Sequence, residues 1–161
     1  MNQQYPRRLI EVDLPIKRIS SHARDERNSR LAHIPRLHIY PAARPLAACR
    51  AVICASLWPD PADDLCPPSF RETARSLMVQ WATAHLEKTS SESYSRFISI
   101  QKSPLRLNDN TVLRSALFDF IADFSDWNNS TVPAYLETAN SLTQSSHQAL
   151  GRSKTTRPLS C

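Results

Sequence analysis

Cationic side chains are the groups in this chain most able to do chemistry, and they crowd its first third. Residues 1–50 hold ten Lys/Arg against four Asp/Glu, whereas residues 51–161 hold ten against eleven. A guanidinium or ammonium meets a phosphate oxygen through charge-assisted hydrogen bonds, and a basic stretch draws phosphate or acidic partners. Arg7, Arg8, Lys17, Arg18, Arg36 and Arg50 are therefore the candidate DNA contacts; the competing reading is a solvated charged face. Other chemistry has little to stand on. Cys49, Cys54, Cys66 and Cys161 form no Cys-x-x-Cys pair, and His33 and His38 lie near no second pair of ligands, so no metal site is expected. His22, His85 and His147 sit on separate segments without a nucleophile, and no catalytic residue is assigned. Asp60, Asp63 and Asp64 read as an acidic, solvated loop.

Glycine sharpens these exclusions. The chain has one, Gly151, in 161 residues. Glycine lets backbone approach a phosphate without a Cβ in the way and takes positive φ freely. Residues 1–150 can thus contain neither a phosphate-cradling Walker loop nor a dinucleotide fingerprint. The charged start MNQQYPRRLIEVD lacks the apolar stretch of a signal peptide. The longest apolar run, 47–58, is broken by Arg50 and too short to cross a bilayer. A cytoplasmic protein with reduced thiols and no membrane partner is expected.

The elements that must position the basic residues read as mostly α-helical. Residues 7–13 alternate enough for a short extended segment. Residues 16–30 suit either a helix behind Asp13 and Pro15 or a partly ordered arm, because the face is nearly all charge. Pro45 opens a helix with the apolar stripe Leu46, Cys49, Val52, Ile53 and Leu57, stopped by Trp58-Pro59-Asp60-Pro61. Pro67 and Pro68 open another, striped by Phe70, Ala74, Leu77, Met78, Trp81 and Ala84. Residues 89–95 read as a polar loop, and 96–100 are ambiguous. Asn110 caps a helix bearing Leu113, Leu117, Phe120, Ile121 and Phe124. A last helix runs from Pro133 through Tyr135, Leu136, Ala139 and Leu142 toward Leu150, with Gly151 as its C′ cap. The expected fold has four to five helices behind a basic, partly extended arm (1–30), a helical domain (31–150) and a disordered tail (151–161).

Two blocks carry a family resemblance: RRLIEVDLPIKRIS at 7–20 and LHIYPAARPLAACRAV at 37–52. Together they resemble the N-terminal domain of unknown function found on large adenine-specific DNA methylases. A third, LFDFIADFSDWNNSTVPAYLETANSL at 117–142, is similar to the continuation of those proteins toward their cofactor site. The family usually has two tryptophans and two arginines in the central block; here Tyr40-Pro41 and Ala43-Arg44 stand there. The resemblance implies that Arg44 meets the carboxylate of S-adenosylmethionine in a bidentate contact, with Tyr40 packed beside it. The helix N-terminus after Pro45 would add positive charge toward the same anion.

The same resemblance implies what is missing. The family's glycine-rich cofactor loop should follow shortly after residue 150, where this chain reads GRSKTTRPLSC. Cys66-Pro67-Pro68-Ser69-Phe70 is a poor likeness of the family's Asn/Asp-Pro-Pro-aromatic loop, since cysteine supplies no amide or carboxylate acceptor for a flipped adenine. The expectation is an N-terminal part of an adenine-specific methylase, cut before its α/β core and inactive alone, with S-adenosylmethionine bound only in the complete family. Two alternatives are a small basic DNA-binding module and an accessory subunit that completes a separately encoded methylase core, packing on it through the stripes of 113–124 and 135–142.

Overall fold

The computed structural model describes residues 5–28 and 46–152, which among them form six α-helices and no multi-residue strand. In chain order these are α1 (Ile16–Asn28), α2 (Leu46–Leu57), α3 (Pro68–Ala84), α4 (Ser91–Lys102), α5 (Asn110–Ser125) and α6 (Pro133–Arg152). The count exceeds the expected four to five. The additional helix is α4, which begins inside the supposed polar loop: Ser90 Oγ accepts from Ser93 N at 3.3 Å, so a serine read as loop composition is an N-cap. Ile16–Asn28 adopts the helical alternative. The extended stretch at 7–13 reduces to one bridge, Arg8 to Pro59, followed by a single 3-10 turn at Leu9–Glu11.

Local signals place the helix starts well. Pro68 stands in the first turn of α3, where its missing N–H costs nothing. The cap of α5 is Asp109, which accepts from Thr111 N at 2.8 Å, and not the expected Asn110, which is the first helical residue. The last start, α6, follows at Pro133 as expected, but its end does not. The helix continues through Gly151, whose φ is not positive, so this glycine is no left-handed cap.

The core lies where α3, α5 and α6 meet. Phe70, Ala74, Met78 and Trp81 of α3 are buried against Leu113, Leu117, Phe120, Ile121 and Phe124 of α5 and Tyr135, Ala139 and Leu142 of α6. The rings form one continuous cluster. Trp81 stands edge-on to Phe120 at 5.0 Å and lies 4.4 Å from Tyr135; Tyr135 stacks on Phe124 at 5.9 Å. The Tyr135 hydroxyl donates to the Lys88 carbonyl at 2.9 Å, which keeps its polar end satisfied.

Helix α2 inverts expectation. Its buried residues are Ala47, Ala51, Cys54 and Ala55, while Val52 and Ile53 of the anticipated stripe are 47% and 57% exposed and Leu46 and Leu57 also face outward. Small residues at i, i+4 and i+8 let this helix lie close against α5, and that close approach decides which face turns inward. The end of α2 is a joint between distant segments. The Leu57 carbonyl accepts from Arg8 Nη1 at 3.0 Å and from Ser146 Oγ at 2.6 Å, and Trp58 Nε1 donates to Thr143 Oγ1 at 3.0 Å.

Candidate functional site

The basic residues of the first third divide by what they hold. Arg7 donates through both its backbone N–H and Nε to Asp63 Oδ2, each at 3.0 Å, and Arg8 reaches the Leu57 carbonyl. Both pin the start of the chain to the turn after α2. That turn is not a solvated acidic loop. Asp60 is fully buried and receives Arg114 through Nε at 2.7 Å and Nη2 at 2.5 Å; Asp63 is also buried, and only Asp64 is exposed. The turn folds inward because two arginines satisfy its carboxylates. The N–H groups of Leu65 and Arg7 hold the Asp63 carboxyl below the usual carboxylate range.

Arg18 is committed most deeply. Its Nη1 donates to Asp119 Oδ1 at 2.8 Å and its Nη2 to Asp123 Oδ1 at 2.5 Å, while Ser90 Oγ and Ser93 Oγ accept at 2.9 and 2.8 Å. Nε faces Glu92 Oε2 at 2.8 Å. The Arg18 side chain keeps 16% exposure and that of Asp123 only 1%. Arg96 also binds Asp119. Burial nonetheless pushes the Asp119 carboxyl up, with Arg96 and Arg18 pulling the other way.

Arg50, the other inward cation, donates Nη2 to the Ser125 carbonyl at 2.9 Å, with its Nε buried and unpartnered. Burial lowers its affinity for the proton, opposed by the nearby charges of Glu26 and Asp126. Neither Arg18 nor Arg50 presents its charge to a partner.

Of the cations on α1 whose burial is described, Lys17 and Arg24 are exposed, with exposed Ser20 on the same face at spacings of three and seven, while Ile16 and Asp25 are exposed beside them. Arg24 was not among the sequence candidates; its i+7 relation to Lys17 was the signal that singles it out. Among the described residues no carboxylate pairs with either cation.

Tyr40, Arg44 and Arg36 lie outside the described residues. The one described part of the expected cofactor slot is the N-terminus of α2, whose first N–H groups are engaged within the chain. Leu46 N and Ala47 N donate to Glu26 Oε1 and Oε2, each at 3.1 Å. The chain's own glutamate takes the place expected for the anion. Of the thiols, burial pushes Cys54 up to about 12 and Cys66 up to about 11, which makes both poor nucleophiles. Among the described residues no group of three or more His, Cys, Asp or Glu could hold a metal ion, and no helix is long and apolar enough to cross a membrane.

Residues 13–92, from the turn before α1 into the first turn of α4, match a family described as a protein of unknown function (DUF1156). No curated protein and no solved structure matches the chain. The match encloses Trp58 and Trp81 but not Phe120 and Tyr135, the rings against which they pack.

Proposed function

We propose that this chain is the non-catalytic helical region of an adenine-specific DNA methylase and that it holds DNA by its phosphates. The observation that carries this reading is the outward face of α1, where Lys17 and Arg24 stand exposed beside Ser20 with no carboxylate partner among the described residues. The resemblance of 7–20 and 37–52 to the N-terminal region of such methylases supports it, and both blocks overlap the stretch matched by the family of unknown function. No methyl transfer is assigned to these residues. S-adenosylmethionine would be held only where a complete methyltransferase core is present, and titration of this chain with the cofactor should show no heat of binding.

The test is a gel shift on duplex DNA across a salt series. Retardation at low salt should weaken steeply as salt rises, because each phosphate contact releases counterions. Lys17→Ala and Arg24→Ala should each reduce the slope of log affinity against log salt by about 1. Absence of retardation at low salt, or a shift indifferent to salt, overturns the reading.

A second reading, an accessory subunit that completes a separately encoded methylase core, is favoured by the outward stripe Leu46, Val52, Ile53 and Leu57 on α2. The stripes of 113–124 and 135–142, expected to serve such docking, are buried within the bundle apart from Leu136 at the margin. If α2 is the docking face, Ile53→Glu should leave the circular dichroism of the lone chain unchanged while abolishing its association with a methylase core lacking this region. Unimpaired association would discard the second reading and leave the first untouched.

A further inference from the structure

Helix α1 docks on the bundle through a stripe of ionisable residues. Arg18, His22 and Glu26 recur at i, i+4 and i+8, so they share one face, and each meets a different part of the protein. Arg18 enters the pocket of Asp119, Asp123, Glu92, Ser90 and Ser93, at the start of α4 and the middle of α5. His22 Nδ1 lies 3.6 Å from Asp126 Oδ2 at the end of α5. Glu26 caps α2. Apolar support is slight, since among the described residues of α1 Ile19 is the one buried hydrophobic side chain and Ile16 is 65% exposed.

From this we infer that α1 is a charge-latched strap: it lifts from the bundle as a unit, with Arg18 as the latch, while the aromatic core of α3, α5 and α6 stays folded. The energetic reason is that the two attachments differ in kind. The core is held by apolar burial, which added salt does not weaken, whereas the partly exposed contacts of Arg18 with Glu92 and of the Glu26 carboxylate with the first N–H groups of α2 are screened by ions. A lifted α1 has its charges solvated rather than stranded, so opening costs far less than unfolding the rings. Release uncovers an acidic receptor formed by Asp119, Asp123 and Glu92, with the Ser90 and Ser93 hydroxyls, shaped by Arg18 for a guanidinium. It also frees a helix carrying Lys17, Arg18 and Arg24 together. The latch stands whether or not the chain binds DNA.

Native-state hydrogen exchange of the full chain, read by mass spectrometry, tests it. In the unmodified protein the α1 amides should be less protected than those of α5 and α6, and should lose several-fold more protection between low salt and 1 M NaCl while α5 and α6 hold theirs. Arg18→Gln should leave α1 exchanging within about tenfold of an unstructured peptide, with α5 and α6 still protected. Loss of protection in α1 and α5 together in that variant would overturn the strap. So would equal protection of α1 and α5 at every salt concentration in the unmodified chain, and that comparison decides the matter even if the variant fails to fold.

Discussion

Two ways of holding a helix stand side by side in this molecule. Helix α5 is held by rings and branched side chains: ten of its sixteen residues are buried, and Phe120 touches Trp58, Trp81, Phe124 and Tyr135. Helix α1 is held by Arg18, His22 and Glu26, with Ile19 as its one buried apolar side chain among the described residues. The first attachment is non-directional and scales with area removed from water. The second depends on geometry and on partners staying charged. A helix of the second kind can sit in a defined place and still be the part that yields first.

The sharpest way to break this contrast is at the rings. Trp81→Ala should cost about 3–5 kcal/mol, measured as a fall in the urea midpoint, with the loss the same at low and high salt. A cost below about 1 kcal/mol would remove the ring cluster from its place as anchor. Arg114→Met comes next. It leaves Asp60 buried without a counter-charge, at a cost of about 3 kcal/mol, and adding Asp60→Asn should return part of it. If the double variant is no more stable than the single, the pair is not the reason for the loss.

Smaller effects test the polar contacts one at a time. Tyr135→Phe removes the hydrogen bond to Lys88 while keeping the ring, and should cost about 1 kcal/mol with circular dichroism unchanged. Acid should act through Asp63 and Asp109, both held below their ordinary carboxylate range in the folded state, Asp63 by the N–H groups of Leu65 and Arg7 and Asp109 by the Thr111 side chain and N–H. A depressed folded value means the stabilisation is present above the unfolded carboxylate range, near pH 4, and is lost as pH falls below it. Asp63→Asn should therefore flatten the acid limb of a thermal-stability titration, and an unchanged limb would show that Asp63 contributes nothing there. Last, Cys54 and Cys66 should resist a thiol reagent at pH 8 until urea unfolds the chain, as read by peptide mass spectrometry. Rapid labelling of either would show that the core around it opens readily.

The ring-held part was the more legible in the sequence. The 3.6-residue spacing of Phe70, Met78 and Trp81, and of Leu113, Leu117, Phe120 and Phe124, assigns both the helices and their inward faces, because large apolar residues seldom have anywhere else to go. The charge-held part was misjudged by the same rule. Arg18, His22 and Glu26 have helical spacing, yet ionisable residues at that spacing read as a solvent face, and the partners of Arg18 and His22 at 119, 123 and 126 lie about a hundred residues away. Arg18 and Arg50 were candidate DNA contacts because they lie in the basic first third. Helix α2 failed in the opposite sense: its largest residues suggested an inner face, but Ala47, Ala51 and Ala55 permit the closer packing. Of the candidate site, Lys17 kept its outward place and Arg24 joined it, while the anion slot at the start of α2 proved to be taken by Glu26.

The joint at the end of α2 has a consequence for how the chain comes to be folded at all. Leu57 and Trp58 complete their hydrogen bonds with Ser146 and Thr143, which follow them by 89 and 85 residues. A ribosome adding roughly 5–20 residues per second needs about 4–18 s to cover that interval. Throughout it, the Leu57 carbonyl and the Trp58 indole stand without the helix that completes their hydrogen bonds. This joint is made early and closed late, so the segment around it takes its final form only after the last helix has been synthesised.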